Sequence, residues 1–350
     1  MTELDKAQWT TTASPQELAG WMRSAETVTL LTHSKPDGDA AGSTLALART
    51  LRSLGIEATC WYAGSLPLWL AALAGDTPFK HIDTDGLPGE TDIGVICDTG
   101  SWSQLAPAKD WIVGRADRLA IIDHHLHGDA EIAERRWLST ESAAVCQPVA
   151  ALCTHLLGLA SKAELPVEIA SPAYFGLGTD TGWFRHSNVS AKVLEDAASL
   201  LRAGVEHIKL YTLSEQRDRP SRLKLMASAL TSAEFIASDQ AVIMALTLAE
   251  LHASGGTASE TGGIVDQAMS IESMRVGALL TEVHDSAHAQ GPMTKMSLRS
   301  KERGEASIDV NQLAQKFGGG GHARAAGARH AGNITETAEL LKQALTELLN

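Results

Sequence analysis

A short apolar run that ends in Asp123-His124-His125 places the strongest constraint on how this chain of 350 residues can fold. The run, residues 119–122, has the length and composition of a fully buried strand. Polar residues that directly follow such a strand lie at its carboxyl end, where open α/β sheets gather their ligands. The pattern therefore predicts a parallel sheet with a polar site along one edge.

Three more acidic loops follow short hydrophobic segments, and they comprise residues 33–39, 97–99 and 178–182. Since the carboxyl ends of parallel strands meet at one edge, we expect these loops to join the triplet in a single site. Asp and Gly are common turn formers, so any one of these loops alone would indicate only a turn. The coincidence of four such loops favours a functional site over four unrelated turns.

The donor atoms of these loops suit hard divalent ions, because Mn²⁺ and Mg²⁺ prefer carboxylate oxygens and Mn²⁺ also accepts imidazole. His33 and Asp37 are four residues apart across a Pro-Asp-Gly turn and can enclose one ion. Asp39 can face a second ion, and Asp98, at the end of another strand, can bridge both. The set of candidate ligands is completed by His124 and Asp180. Two ions about 4 Å apart suit the hydrolysis of a phosphate ester.

Alternating strand-like and helical segments over the first half of the chain predict an α/β fold, with a mostly parallel sheet flanked by helices. The polar segment 214–220 predicts a connection, and a smaller α/β unit is expected to follow it. Four parts are predicted: an N-terminal extension (1–25), a catalytic domain (26–190), a connecting helix and linker (191–222), and a substrate-binding domain (223–350).

Composition narrows the class of protein. No run of 18 apolar residues occurs, so we expect no membrane span. The four cysteines lack Cys-x-x-Cys spacing and are expected to be reduced thiols in a cytoplasmic protein. The net charge of −13 argues against an extended nucleic-acid duplex as a partner. Residues 291–330, however, hold seven Lys and Arg against three Asp and Glu, which suits a short phosphorylated ligand.

Four consecutive glycines, 318–321, are followed by His322 and Arg324. Glycines let backbone N–H groups approach a phosphate, and a helix predicted to begin near His322 would add its positive end. Arg299 offers a planar fork for a phosphate. A glycine run alone is also typical of a flexible hinge, but the His-x-Arg that follows favours ligand binding. The candidate ligand-binding residues here are Arg299, Gly319, Gly320, Gly321, His322 and Arg324.

Arg185 and His186 follow Asp180 closely, so they are further candidates for contact with a phosphate or a base. Two aromatic residues, Trp183 and Phe184, lie between them and Asp180 and are open to two interpretations. Either ring can stack on a base, or it can belong to the hydrophobic core.

In order and spacing, these motifs resemble those of the DHH phosphoesterases that carry a DHHA1 domain. The similar residues in the first half are His33-x-x-Pro36-Asp37-x-Asp39, Asp98, Asp123-His124-His125 and Thr179-Asp180-Thr181-Gly182. Residues 318–327 resemble the DHHA1 signature, and the whole resemblance spans roughly residues 25–345. Within this family, the chain most resembles the group of oligoribonucleases (nano-RNases) that also hydrolyse 3′-phosphoadenosine-5′-phosphate (pAp).

The resemblance implies a role for each motif residue. One Mn²⁺ would be held by His33, Asp37 and Asp98. The other Mn²⁺ would be held by Asp39, Asp98, His124 and Asp180. His125 would contact the scissile phosphate, and Asp123 would steady the histidine ligand beside it. The resemblance therefore implies catalytic roles for Asp98, Asp123 and His125.

The implied activity is the manganese-dependent hydrolysis of short oligoribonucleotides to mononucleotides, and of pAp to AMP, by two-metal activation of a bridging hydroxide. Two Mn²⁺ are the expected cofactors, with Mg²⁺ or Co²⁺ as substitutes. Short single-stranded RNA, pAp or dinucleotides are the expected partners, and homodimer formation stays open. Two alternatives are a cyclic or linear dinucleotide phosphodiesterase and, from a different class, a nucleotide sensor that binds without catalysis.

Overall fold

The computed structural model describes residues 8–283, 291–301, 304 and 307–349. The chain divides into two units, Met1–Arg217 and Asp218–Asn350, and this division falls inside the polar segment 214–220. The first seven residues of the predicted N-terminal extension lie outside the described residues, and the domain limits given above stay predictions. Within the described ranges, no helix has both the length and the apolar character needed to cross a bilayer.

Six short strands of the larger unit form one parallel sheet, in the order β3-β2-β1-β4-β5-β6. The strands are β1 (Thr27–Leu31), β2 (Glu57–Tyr62), β3 (Phe79–His81), β4 (Ile93–Cys97), β5 (Leu119–Asp123) and β6 (Arg135–Leu138). Every residue of β4 and β5 is buried, as expected for central strands that helices cover on both faces. The prediction of a mostly parallel α/β sheet is confirmed, although the edge strands β3 and β6 were not predicted.

The direction of strand addition reverses between β1 and β4. The chain proceeds outward from β1 to β3 on one side and from β4 to β6 on the other. Such a reversal opens a crevice at the carboxyl ends of the two central strands, because the connections leave in opposite directions. His33 follows β1 and Asp98 follows β4, so both stand at this crevice.

Helices cover the sheet, and glycines allow two of them to pack unusually closely. The helices of the larger unit are α1 (Pro15–Arg23), α2 (Gly38–Ser53), α3 (Leu70–Ala74), α4 (Ile82–Asp85), α5 (Lys109–Ile112), α6 (Cys146–Leu156), α7 (Val167–Asp180), α8 (Ala191–Arg202) and α9 (His207–Glu215). A Cβ at Gly38 or Gly42 of α2 would lie less than 3.0 Å from atoms of α7. The absent side chains therefore bring the start of α2 against the end of α7.

The smaller unit has a second sheet, in the order β11-β12-β10-β9-β8-β7. Its strands are β7 (Glu234–Ile236), β8 (Ala241–Leu246), β9 (Val276–Val283), β10 (Met293–Ser300), β11 (Gly320–His322) and β12 (Ala325–Ala331). All neighbouring pairs are antiparallel except β8 and β9. Its helices are α10 (Pro220–Thr231), α11 (Leu248–Ser254), α12 (Val310–Gln315) and α13 (Ile334–Leu349). The predicted second α/β unit is therefore confirmed.

The prediction that a helix begins near His322 is wrong, because this residue ends the short strand β11 of a hairpin with β12. A Cβ at Gly319 or Gly321 would lie less than 3.0 Å from β12. The glycines therefore let two backbones approach each other within the sheet, whereas the prediction assigned them to a phosphate-binding loop before a helix. Gly321 has a φ of +150°, which disfavours other residues there.

A candidate metal centre at the edge of the parallel sheet

Two groups of imidazole and carboxylate side chains share Asp98. In the first group, His33 Nε2 lies 3.4 Å from Asp98 Oδ2 and 3.7 Å from Asp37 Oδ1. In the second, His124 Nε2 lies 3.4 Å from Asp98 Oδ1 and 3.9 Å from an oxygen of each of two further carboxylates, Asp39 and Asp180. The donor atoms of His33, Asp37 and Asp98 all lie within 4.8 Å of one another, as do those of Asp39, His124 and Asp180. Each group is compact enough to enclose one ion.

Asp98 lies between the two groups because of its backbone. Its φ is +65°, a left-handed conformation that is uncommon outside glycine but that Asp and Asn tolerate better than most residues. Its N–H donates to the Ile122 carbonyl of the neighbouring strand at 3.0 Å. The side chain is only 4% exposed, and its two oxygens face different histidines. One buried carboxylate is thus oriented as a bridge.

The two histidines present the same nitrogen to the carboxylates. His33 Nδ1 lies 3.1 Å from the Ser34 carbonyl, and His124 Nδ1 lies 3.1 Å from the Ser142 carbonyl. A carbonyl can only accept, so each Nδ1 carries the proton and each Nε2 keeps its lone pair in the neutral ring. That arrangement is typical of histidines that ligate metals through Nε2.

Asp39 is held in place by the start of another helix. Its two carboxylate oxygens accept the N–H groups of Val145 (2.6 Å) and Cys146 (2.9 Å), where α6 begins. The residue is only 1% exposed, so these bonds partly replace the water that it lost. Asp37 is the N-cap of α2, where its Oδ1 accepts the N–H of Asp39 at 3.0 Å.

Asp180 is the last residue of α7, and the turn that follows it is tied back by Asn188. The Asn188 Nδ2 donates to the carbonyls of Asp180 (3.2 Å) and Ala143 (3.3 Å). Arg185 and His186, both exposed, belong to this turn. The Arg185 Nε donates to the Gly182 carbonyl at 2.7 Å, which keeps the guanidinium beside the turn that follows Asp180.

Burial and mutual contacts shift the pKa values of the side chains in this candidate centre. Burial, together with the negative charges of Asp98 and Asp180, raises the pKa of Asp39 well above its usual range. Burial also raises the pKa of Asp180 to about 6. Although burial alone would lower them, contacts with the carboxylates raise the pKa of His33 to about 11 and that of His124 to about 10. Carboxylates that repel one another in this way are stabilised by bound divalent ions, so the donor set fits two of them.

Within the Asp123-His124-His125 triplet, the ring of His125 is hydrogen-bonded to the carboxylate of Asp123. Asp123 Oδ1 lies 2.7 Å from His125 Nδ1 and also accepts the N–H groups of His124 (2.7 Å) and His125 (3.2 Å). Asp123 is fully buried, whereas the His125 side chain is 46% exposed. The hydrogen bond from Nδ1 raises the pKa of His125. His125 nevertheless stays at the edge of the centre, because its Nδ1 lies 4.0 Å from Asp98 Oδ1 and its donor atoms group with those of Asp98 and His124.

Trp183 belongs to the hydrophobic core and is only 8% exposed. Its Nε1 donates to Glu215 Oε1 at 3.1 Å, and its ring packs edge-on against Tyr211. The structure thus decides between the two interpretations of this residue in favour of packing. Phe184 is half-buried against the same core.

In the smaller unit, several predicted ligand-binding residues lie close together on one sheet. Ala325 pairs with His322 on one side and with Arg299 on the other. Residues directly opposite in antiparallel strands share a face, so the imidazole and the guanidinium project from the same side. Arg299 Nε also contacts Asp266 Oδ1 at 2.9 Å. Arg324 donates from Nη1 to the Ile308 carbonyl at 2.7 Å, so this guanidinium is partly engaged within the chain.

The backbone N–H groups of the glycine run are less available than expected. The Gly319 N–H donates to the Ala314 carbonyl, and the Gly321 N–H donates to Asn311 Oδ1, both at 2.9 Å. Gly320 pairs with Gly327 in the hairpin. A ligand here would therefore meet a flat backbone surface rather than a cradle of free N–H groups.

Sequence reasoning missed three residues that shape the centre: Ser142, Cys146 and Asn188. Each acts through a backbone group or an amide, and none stands in a motif that signals metal chemistry. Asn188 comes eight residues after Asp180 and has a recognisable signal, since Asn often ties turns to nearby backbone. The contacts of Ser142 and Cys146 with the metal centre depend on the tertiary fold alone.

Known proteins share these domains and this fold. The N-terminal domain of the DHH family matches residues 27–177, and the DHHA1 domain matches residues 239–350. The fold is similar to the crystal structure of an exopolyphosphatase-related protein from Bacteroides fragilis, with a TM-score of 0.85 and 24% identity over 96% of both chains. At that identity, the likeness shows a shared fold.

Two relatives are similar over most of the sequence. The chain is 29% identical over 321 residues to the bifunctional oligoribonuclease and PAP phosphatase NrnA of Thermus thermophilus, which covers 91% of this chain and 89% of that protein. It is 25% identical over 307 residues to the NrnA protein of Bacillus subtilis, over 87% and 89% of the two chains. Because the two domains match in the expected order and together span more than half of its length, the chain belongs to the DHH family and carries a DHHA1 domain.

Proposed function

We propose that this protein is a manganese-dependent phosphoesterase that hydrolyses short oligoribonucleotides to mononucleotides and pAp to AMP. The observation that carries the proposal is the placement of Asp98, whose two oxygens face separate histidine and carboxylate groups. A shared carboxylate of this kind suits a pair of ions, and paired ions are typical of enzymes that cleave phosphate esters.

The metal ligands are proposed as two sets. His33, Asp37 and Asp98 would hold one ion. Asp39, Asp98, His124 and Asp180 would hold the other. Mixed imidazole and carboxylate donors favour Mn²⁺ over Mg²⁺, which prefers oxygen alone, while Mg²⁺ or Co²⁺ remain candidate substitutes. When bound, such ions would polarise the phosphoryl group. They would also lower the pKa of bound water, so that hydroxide is available near neutral pH.

His125 is proposed to bind the scissile phosphate. Its Nδ1 is engaged by Asp123, which leaves Nε2 as the nitrogen that can donate to a phosphoryl oxygen. The hydrogen bond to a buried carboxylate also favours the charged imidazole, which stabilises negative charge that develops on the phosphate. Asp123 thus acts through His125, and Asp98 acts through the ions.

Groups away from the centre are proposed to hold the rest of a short substrate. In the larger unit, Arg185 and His186 stand next to the metal-binding turn and carry suitable donors for a phosphate. In the smaller unit, Arg299, His322 and Arg324 would contact the nucleotide, and the hairpin backbone of Gly319, Gly320 and Gly321 would lie beside its base. We accordingly propose residues 26–190 as the catalytic domain, 191–222 as the connection and 223–350 as the substrate-binding domain.

The choice of substrate rests on the relatives and on charge. Both relatives described above are named for activity on oligoribonucleotides and on PAP. A net charge of −13 disfavours a long duplex, whose many phosphates require an extended basic surface. A few arginines grouped near one strand are sufficient for a substrate with two to five phosphates.

The test is turnover on a matched panel, with metal-free protein supplied with Mn²⁺. The panel contains RNA of two to twenty-four nucleotides, pAp, cyclic di-AMP, single-stranded DNA and pyrophosphate. We expect preference for RNA of two to five nucleotides and hydrolysis of pAp. Preference for cyclic di-AMP, long DNA or pyrophosphate would overturn the proposed substrate, and binding of nucleotides without turnover would identify a sensor.

A further inference from the structure

The chain segment before α1 runs along the edge strand β6. The Thr12 N–H donates to the Arg136 carbonyl at 2.8 Å, and the Leu138 N–H donates to Thr11 Oγ1 at 3.0 Å. Thr12 Oγ1 also donates to the Glu134 carbonyl at 2.6 Å. An edge strand otherwise leaves its backbone groups unpaired, so residues 10–13 cover part of this edge of the sheet.

This segment places the indole of Trp9 against two loops of the candidate metal centre. A Cβ at Gly128 would lie 2.5 Å from the ring, and one at Gly100 would lie closer still. Gly100 comes two residues after Asp98, and Gly128 comes three residues after His125. Neither glycine has a positive φ, and the three atoms nearest to a Cβ added at either position all belong to the Trp9 ring. The missing side chains make room for the indole.

Trp9 also makes one directed contact with the triplet. Its Nε1 donates to the carbonyl of His125 at 3.1 Å, across 116 residues of sequence. His125 is therefore held at two points, by Asp123 through its ring and by Trp9 through its backbone. The two loops are also joined to each other, because the Asp129 N–H donates to the Gly100 carbonyl at 2.6 Å.

We infer that Trp9 is a positioning residue for the phosphoesterase reaction: it fixes the loops that carry Asp98 and His125 against each other. The inference rests on the proposed function, since it assigns Trp9 a part in placing the phosphate-binding imidazole. Packing alone would stabilise the fold without affecting the chemistry. The hydrogen bond to the His125 carbonyl makes the position of the imidazole depend on Trp9.

Four variants test the inference. Trp9→Phe keeps an aromatic ring but loses the Nε1 donor, and Trp9→Ala loses both. Gly100→Ala leaves Trp9 in the sequence but fills the space of its ring. The double variant Trp9→Ala/Gly100→Ala completes a cycle. Trp21→Ala is the control, because this indole belongs to α1 and stacks against the guanidinium of Arg135.

We expect kcat for a diribonucleotide to fall about tenfold in Trp9→Phe, in keeping with one lost hydrogen bond. In Trp9→Ala and Gly100→Ala it should fall about a hundredfold, as for a displacement of a catalytic group by about 1 Å. KM should change less than kcat, because the substrate-binding arginines are untouched. Gly100→Ala should have little further effect once Trp9 is absent, so the two changes should not be additive.

Two further measurements separate this inference from the proposed function. Circular dichroism must show that each variant is folded at the assay temperature. Hydrogen exchange, read by mass spectrometry, should be faster in Trp9→Ala than in the parent in peptides of both loops, whether or not any substrate is turned over. If the parent protein cleaved no substrate, the proposed function would be contradicted, but the role of Trp9 in holding the two loops would still be tested by hydrogen exchange. Parental kcat in folded Trp9→Ala, additive effects in the cycle, or unchanged exchange in the loops would overturn the role of Trp9.

Discussion

A single oxygen atom, Oδ1 of Asp123, lies 2.7 Å from Nδ1 of His125 and accepts the backbone N–H groups of both triplet histidines. This carboxylate is fully buried at the end of a central strand, so it cannot follow a movement of the loop. The ring of His125 consequently has one orientation, in which Nδ1 donates to this oxygen. Its other nitrogen is the group left for a substrate.

The first prediction concerns this pair. Asp123→Asn keeps an oxygen for the two backbone N–H groups but removes the charge that favours a protonated His125. We expect kcat for a diribonucleotide to fall by about 10- to 100-fold, the usual effect of losing a carboxylate that orients a histidine. Steady-state kinetics at saturating Mn²⁺ measure the change. An activity equal to that of the parent would show that His125 needs no partner.

A second prediction concerns the shared ligand. Asp98→Asn is the suitable change, since Asn tolerates the φ of +65° found at this position. The parent should unfold at a higher temperature when Mn²⁺ is added, because an ion that binds only the folded state stabilises it by about 2.7 kcal/mol at a hundred times its Kd. We expect Asp98→Asn to lose most of this increase and all measurable hydrolysis.

Asp76→Asn serves as a control for that experiment, because this carboxylate is exposed and belongs to neither group of candidate ligands. Its unfolding temperature should rise with Mn²⁺ as much as that of the parent. If Asp98→Asn responded to Mn²⁺ as strongly as the control, the bridging role would have to be abandoned.

A third prediction distinguishes binding from chemistry in the smaller unit. Arg299→Ala should raise KM for a diribonucleotide about tenfold with little change in kcat, since this residue is proposed to bind away from the reacting phosphate. Asp266→Ala should lower KM, because it releases the guanidinium from its ion pair. Arg329→Ala, on the exposed part of β12, is the matched control. A fall in kcat for Arg299→Ala would assign this residue to the catalytic step instead.

The fourth prediction concerns stability and pH. Asp196 is 3% exposed and lies 2.8 Å from the ammonium groups of both Lys162 and Lys192. Burial alone would raise the pKa of this carboxyl, but the two lysines and Gln147 lower it below its ordinary value. Its stabilising contribution is therefore fully present above a pH of about 4, the ordinary pKa, and is lost as the pH falls through the lower folded value.

Asp196→Asn should lower the free energy of unfolding at pH 7 by about 3 kcal/mol, because the largely buried Lys162 loses its partner. Urea titrations between pH 7 and pH 2.5 give the free energies. The difference between parent and variant should shrink only below pH 4. A difference that stayed constant down to pH 2.5 would mean that Asp196 does not carry the effect through its charge.

The sheet and the clustering of the candidate metal ligands could be predicted because their signals are local. His33, Asp98 and Asp123 each lie at the end of a short apolar strand. Parallel strands bring their carboxyl ends to one edge of the sheet, independently of how the helices pack. The hairpin at His322 could not be predicted, because its glycines serve an approach of two backbones that only the register of β11 and β12 creates. Trp9 was missed for the same reason, since its partner lies 116 residues further along the chain.

The glycine contact between α2 and α7 also has a consequence for the choice of ion. Asp39 is carried by one helix and Asp180 by the other, and a Cβ at Gly176 would lie 3.0 Å from Asp39 itself. The separation of these two carboxylates therefore depends on the direct backbone contact between α2 and α7, which glycines make possible. We therefore expect the glycines to limit the size of an ion held between these carboxylates, so that a methyl group added at Gly176 alters ion preference without touching the ion.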